Sequence, residues 1–331
     1  MELKIKDETI LKALFTTDAF TVCRPDRPFW YTSGSFGPYY INTHYLFGDR
    51  AAAEYFLRLT DHFLAEEREL LPAALLFLTH YQYRRVEIYR NVVDRVVEAS
   101  RQRGCDLISG GERRDWFFSL PAAQSLEVPT IFLFKDGEVI APKTAEIRNY
   151  APVEEAVRTA WPKYTDITQI PLPELRETAK VLADEMNFAP VAANGLRGKK
   201  VLHVADLVTL ASSYTRNWLP ALSECGAEID ATLAIVDRGQ GGDEVLAAAG
   251  VELIALTTID ENMFVKAREL GLIDADQESA LKEFLLSPEE FMRQFLRRNP
   301  DWLSAQEELG ASIRARLEIF REKYAALIRE V

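Results

Sequence analysis

The sequence is poor in the residues that announce familiar chemistry, and the absences narrow its function first. Cysteine is scarce: Cys23, Cys105 and Cys225 are the three in 331 residues. A scattered, odd-numbered set has no metal-binding spacing and cannot pair completely, so the expected location is a reducing cytoplasm. Four histidines occur, at 44, 62, 80 and 203, too dispersed to read as a ligand set. His203 alternates with apolar neighbours and reads as a satisfied core residue. No apolar run reaches the roughly 18 residues that a membrane helix requires. The opening Met-Glu-Leu-Lys-Ile-Lys-Asp-Glu lacks the apolar core of a secretory signal. There is no internal repeat, no low-complexity tract, no Gly-x-Ser-x-Gly elbow and no Gly-x-x-x-x-Gly-Lys phosphate loop. Positive charge is in deficit: 39 Lys and Arg face 51 Asp and Glu, a net charge of −12. Such a surface repels a nucleic-acid backbone. Neither nucleic acid nor membrane is therefore expected as a partner, although a small anion can still be held where basic groups and helix N-termini converge.

What is present is an ordinary globular composition, 48% apolar and 27% charged, on a chain long enough for one or two domains. Apolar spacing predicts helices over 7–15, following Asp7 as a cap, over 51–67, and over 84–103 with Val86, Val93, Val96 and Val97 on one face. Asp106 to Ser109 reads as a short buried strand opening onto Gly110-Gly111. A helix from Trp116 to Leu126 follows, then an apolar strand from Val128 to Phe134. Lys135-Asp136-Gly137-Glu138 is a hairpin-turn signal. Further on, a strand from Val201 to Val204 ends in a polar turn containing Asp206, Thr209, Ser212 and Ser213. A helix then runs to Cys225-Gly226, and a strand from Ala231 to Val236 delivers Asp237-Arg238. Val251 to Leu256 is another strand. This β-α-β alternation predicts an α/β fold, a mostly parallel sheet flanked by helices. Residues 138–193 interrupt it, with prolines at 142, 152, 162, 171, 173 and 190 and a helix from Glu174 to Asn187. From Glu261 onward the chain reads as helical. A last helix over 301–330 carries a stripe of Leu309, Ile313, Leu317, Phe320, Tyr324 and Leu327-Ile328, which would pack on its own domain or on a sister subunit.

Four segments can carry chemistry. The turn Ala205-Asp206-Leu207-Val208-Thr209-Leu210-Ala211-Ser212-Ser213 places hydroxyls and free backbone N–H groups at a helix N-terminus, where open α/β sheets bind phosphate; Asp and Ser after a strand also cap helices with no ligand involved. Ser33-Gly34 through Pro38-Tyr39-Tyr40 to Asn42 is an aromatic stretch that could face a flat ligand or form a core hairpin. Gly110-Gly111 could bring backbone N–H groups close to an anion. Arg113 and Arg114 after it could clamp an anion or pair with Glu112 and Asp115 in a solvated turn. Asp237-Arg238-Gly239-Gln240-Gly241-Gly242 offers an arginine suited to an anionic group, or one paired with its neighbour Asp237.

Together these segments resemble the type I phosphoribosyltransferases, and within them the orotate phosphoribosyltransferases. The resemblance covers about residues 8–137 and 194–260. That family has an acidic pair followed by Thr-(Thr or Ala)-Gly-(Thr, Ser or Gly) on the loop holding the 5′-phosphate. Here the first acid is Ala205 and the loop glycine is Ala211. Thr32 stands where the family has lysine before Ser-Gly, and Phe134-Lys135 keeps only the second member of the Arg-Lys pair that precedes the mobile catalytic loop. The resemblance implies a phosphoribosyltransferase-like domain over 1–260, with a hood-like N-terminal segment and an insertion at 138–193, and a helical extension over 261–331. It implies Thr209, Leu210, Ala211, Ser212 and Ser213 on the 5′-phosphate. Gly110, Gly111, Arg113 and Arg114 would lie on the pyrophosphate, and Tyr39, Tyr40 and Arg238 on the base. Asp206 and Lys135 would act in catalysis, Asp206 also reaching magnesium indirectly. The implied reaction takes phosphoribosyl pyrophosphate with Mg2+ and a pyrimidine-type base to a nucleoside monophosphate, in a homodimer. The alternative is a catalytically degenerate member of the fold that binds a nucleotide or sugar phosphate in a regulatory role.

Overall fold

The computed structural model describes residues 8–24, 26–143 and 150–330; Asp7, expected as a cap, lies outside them. The chain divides into two units: Met1–Asp18 with Thr43–Thr258, and Ala19–Asn42 with Ile259–Val331. Four short strands precede Thr43, β1 (Phe20–Val22), β2 (Phe29–Trp30), β3 (Phe36–Gly37) and β4 (Tyr39–Ile41). Seven follow: β5 (Leu107–Gly111), β6 (Thr130–Leu133), β7 (Val139–Pro142), β8 (Phe188–Pro190), β9 (Lys200–Val208), β10 (Glu228–Asp237) and β11 (Glu252–Thr258).

The seven strands make the sheet of the first unit in the order β11-β10-β9-β5-β6-β7-β8. Neighbours from β11 to β6 are parallel, while β7 and β8 are antiparallel additions. The expected α/β architecture is therefore present. The chain moves outward from β5 to β6 in one direction and from β9 to β10 in the other. β5 and β9 thus flank the point where strand order reverses, the place in open α/β sheets where the carboxyl ends of the strands leave a crevice.

Several elements match the expected spans and others correct them. The helix Trp116–Leu126 is as expected, and Asp136-Gly137 turns between the antiparallel β6 and β7, with Gly137 at φ +90°. β9 runs to Val208, past Val204, because its end pairs with β10 as far as Asp237; Asp206 is therefore a strand residue. Gly110 and Gly111 also lie inside a strand, opposite Phe132 and Leu133. The proline-rich stretch contributes β7, β8 and the helices Ala151–Ala160 and Leu172–Met186, so it extends the sheet. Its last strand is a three-residue edge ending in Pro190, where a missing N–H costs no ladder bond. The helix expected over 84–103 is Glu87–Arg103, with Val86 just before it, and an unexpected helix, Leu71–Arg85, precedes it. The helix over 301–330 is three pieces, Trp302–Gln306, Ala311–Lys323 and Ala325–Arg329.

In the second unit, β1 pairs with β4 and β2 with β3, all antiparallel. The aromatic stretch is its core: Trp30 stacks on Trp302 at 5.2 Å between ring centroids, and Phe36 meets Phe295, Trp302 and Phe320. Trp30 Nε1 donates to Gln306 Oε1 at 3.1 Å, giving the buried indole the partner it needs. Leu317, Phe320 and Leu327 of the expected stripe are buried, whereas Leu309 is exposed. No helix among the described residues is long and apolar enough to cross a membrane.

Candidate functional site

A cleft of about 440 Å³ opens at the carboxyl ends of β5 and β9. One wall is Glu112, Arg113, Arg114 and Asp115 with Lys135; the other is the run from Ala205 to Tyr214. Two segments roughly ninety residues apart in sequence, together with Lys135, thus converge where strand order reverses.

The hydroxyl-rich turn is open. Leu210 is 57% exposed, and Ser212 and Ser213 are exposed at the start of the next helix. Among the described residues, no protein group engages the hydroxyls of Thr209, Ser212 or Ser213. Ala211 has φ +50°, a backbone conformation that glycine adopts without strain. The turn therefore keeps a glycine-type bend with a methyl group on it. The helix begins with a wide π-type turn over Tyr214–Trp218, which sets both rings against His203. Such turns recur at functional sites.

The basic wall is less uniform than the sequence suggests. Arg113 pairs with Asp61, and Lys135 Nζ lies 3.6 Å from Glu112 Oε1. Arg114 is exposed and has no ion-pair partner among the described residues. Its charge is felt nearby: burial first, then Arg114 and Arg113, hold the His44 imidazole down at about 3. Among the described residues, Arg114 is thus the cation of this wall without an ion-pair partner. Gly110 and Gly111 do not present N–H groups to the cleft. The Gly111 N–H donates to Asp115 Oδ2 at 3.0 Å, and the Gly110 carbonyl accepts from Trp116 Nε1. Their smallness serves packing instead: a Cβ on Gly110 would lie 2.1 Å from Ser119 Oγ, and one on Gly111 2.4 Å from Trp218.

Asp206 lies on the cleft floor, 7% exposed, and its carboxylate accepts from Thr43 Oγ1. Burial raises its carboxyl to about 7, and the nearby Asp115 adds to the effect, against the opposing influence of Thr43 and Arg114. Asp115 Oδ1 accepts the Asp206 N–H at 3.1 Å. His203, fully buried, places Nε2 3.3 Å from Asp115 Oδ2 and Nδ1 2.9 Å from Ser109 Oγ. Thr43, Asp115 and His203 were not expected at the site. Asp115 stood out only as a charged turn residue, and nothing in the sequence links Thr43 to Asp206 across 163 positions.

Among the described residues no group of three or more His, Cys, Asp or Glu could hold a metal. Burial, with Asp115, drives Asp206 toward its neutral form, a poor state for a hard-cation ligand, and Thr43 already occupies its carboxyl. The donor set does not fit a protein-held ion.

Arg238 follows β10 beside the turn, its N–H donating to Val208 O at 2.9 Å, and Gly242 packs on Val208 and Thr209. Its neighbour Asp237 is buried, which raises that carboxyl, and accepts the Gly239 N–H. Tyr39 and Tyr40 belong to the second unit. The Tyr39 ring is buried, stacked on Phe20 at 5.0 Å and met edge-on by Phe284, so its face is not available to a base; Tyr40 is half-buried beside Phe29 and Tyr31.

No family model matches the chain. It is 39% identical over 64 residues to an orotate phosphoribosyltransferase of Halobacterium salinarum, across 19% of this chain and 36% of that protein. It is 24% identical over 163 residues to the orotate phosphoribosyltransferase of Methanopyrus kandleri, across 47% of this chain and 80% of the relative. The chain thus matches little more than a third of the length of the first two curated relatives, 36% and 37%. Among solved structures, UMP synthase of Leishmania donovani aligns at TM-score 0.46 and 15% identity over 85% of this chain and 42% of that one. Orotate phosphoribosyltransferase from Aeropyrum pernix aligns at 0.42 and 16%, over 79% and 99%. As a class, the chain resembles the type I phosphoribosyltransferases. The curated relatives that carry the resemblance are named orotate phosphoribosyltransferase.

Proposed function

We propose that the cleft binds phosphoribosyl pyrophosphate and that the protein is an orotate phosphoribosyltransferase-like enzyme. It would pass the phosphoribosyl group to a pyrimidine-type base and release a nucleoside monophosphate. The observation that carries this reading is the convergence of the open Thr209–Ser213 turn and the Arg114 wall on one cleft at the sheet's reversal point. The turn offers hydroxyl and backbone donors to a 5′-phosphate. Arg114, with Arg113 and Lys135 behind it in their ion pairs, faces where a pyrophosphate would leave. The reaction breaks the ribose C1′–O bond and forms a C1′–N bond to the base, so its transition state is cation-like at C1′. Fixed charges and positioning supply the catalysis. Arg238, beside the turn, is the group offered to the carboxylate of the base. Magnesium belongs to the substrate in this reading, arriving on the phosphates of phosphoribosyl pyrophosphate. A homodimer in the cytoplasm is part of the same proposal.

One observation favours a second reading, a binding or regulatory module without turnover. Ala205 removes one acid of the expected pair, and the remaining Asp206 is close to neutral. The experiment is orotidylate formation from orotate and phosphoribosyl pyrophosphate with magnesium, beside Asp206→Ala. Turnover lost in the variant supports the enzyme. Absent turnover with measurable binding of orotidylate or ribose 5-phosphate transfers the conclusion to the binding module.

A further inference from the structure

The acid pair expected at 205–206 is broken in sequence, yet a second carboxyl stands beside Asp206 in the folded chain. The Ala205 side chain belongs to the apolar cluster with Leu107, Ile131 and Trp218, so position 205 offers the cleft no charge. Asp115, 91 residues away, lines the same cleft and comes within hydrogen-bonding reach of the Asp206 carboxyl. Its orientation is fixed from three sides. One oxygen accepts the Asp206 N–H, the other accepts the Gly111 N–H, and His203 stands behind the second, itself held by Ser109. One Asp115 oxygen accepts the Gly111 N–H and faces His203 Nε2 at 3.3 Å, while the other accepts the Asp206 N–H and retains a lone pair. A group locked by its own hydrogen bonds meets a ligand without reorganising.

We propose that Asp115 is the second acid of the ribose subsite, joining Asp206 on the cleft floor to bond the vicinal 2′- and 3′-hydroxyls of the ligand's sugar. The subsite is assembled across the β5–β9 junction and does not come from adjacent residues of one strand. This rests on the phosphoribosyl reading above. A vicinal diol presents two donors to two facing carboxyl groups; a sugar lacking the 2′-hydroxyl forgoes one of those bonds at a largely buried carboxyl, a loss that such sites penalise.

The test compares ribose 5-phosphate with 2-deoxyribose 5-phosphate by titration calorimetry on the full chain. The unsubstituted protein is expected to prefer ribose by about tenfold or more. In Asp115→Asn that preference should fall to about twofold, with affinity for the deoxy sugar nearly unchanged. The deoxy sugar doubles as a check that the phosphate side of the cleft is intact. Asp206→Asn, which leaves both backbone bonds to Asp115 in place, should also lose the preference. A ribose preference that survives Asp115→Asn, or one lost in Asp206→Asn while Asp115→Asn weakens both sugars equally, overturns the role of Asp115. Failure of the unsubstituted protein to bind either sugar removes the phosphoribosyl reading, and this proposal with it.

Discussion

Replacing Asp206 with asparagine should make the protein more stable, and increasingly so as pH rises. The Asp206 carboxyl is raised from 3.8 to about 7, principally by burial. That is about 3 units, and at 1.36 kcal/mol per unit ionisation inside the fold is disfavoured by about 4 kcal/mol. Below about pH 4 the carboxyl is protonated in both folded and unfolded chains, so it contributes no pH dependence. Between about 4 and 7 the unfolded chain ionises first, folding takes up a proton, and stability declines with rising pH. Above about 7 the folded chain ionises as well, and the full cost is present. Asparagine cannot ionise, and its amide oxygen can still accept from Thr43. Urea unfolding of both proteins from pH 4 to pH 8 should therefore give nearly equal stabilities at the acid end. By pH 8 the variant should lead by about 2–4 kcal/mol, the lower figure allowing for relaxation around the charge. Stability profiles that run parallel across this range would refute the buried, nearly neutral Asp206 on which the argument stands.

Arg114→Ala should weaken inorganic pyrophosphate binding by about tenfold, and Arg113→Ala by only about threefold, because the Arg113 guanidinium is already engaged by Asp61; equal losses in calorimetry would contradict that assignment. Gly110→Ala should cost about 1–3 kcal/mol in urea unfolding, since its Cβ would meet Ser119 Oγ and Cβ, at 2.1 and 2.8 Å. An unchanged midpoint would show that the strand and helix can separate there.

The sheet was legible because its strands are short apolar runs bounded by turn residues, and because β-α-β alternation leaves few topologies. The open turn at the end of β9 was legible from its hydroxyls, Thr209, Ser212 and Ser213, set after an apolar strand. Other parts carry no local signal. The helix Leu71–Arg85 is buried on nearly every side, so its apolar residues show no stripe to read. β7 and β8 are three or four residues long and contain prolines, which makes them resemble loop. Asp206 looked like a turn residue because a carboxyl inside a central strand is rare, and only Thr43 and Asp115, both distant in sequence, explain its place there. The aromatic run 29–42 was ambiguous for a different reason: its partners Phe295, Trp302 and Phe320 lie far along the chain.

That distance also has a temporal meaning. Ala19–Asn42 and Ile259–Val331 form one unit from two remote segments. On a ribosome elongating at about 5–20 residues per second, Trp30 and Phe36 would emerge on the order of ten to forty seconds before the helices that enclose them begin to appear. A newly made chain therefore spends that interval with bare aromatic surface, and the first unit must mature while its companion is still half-written.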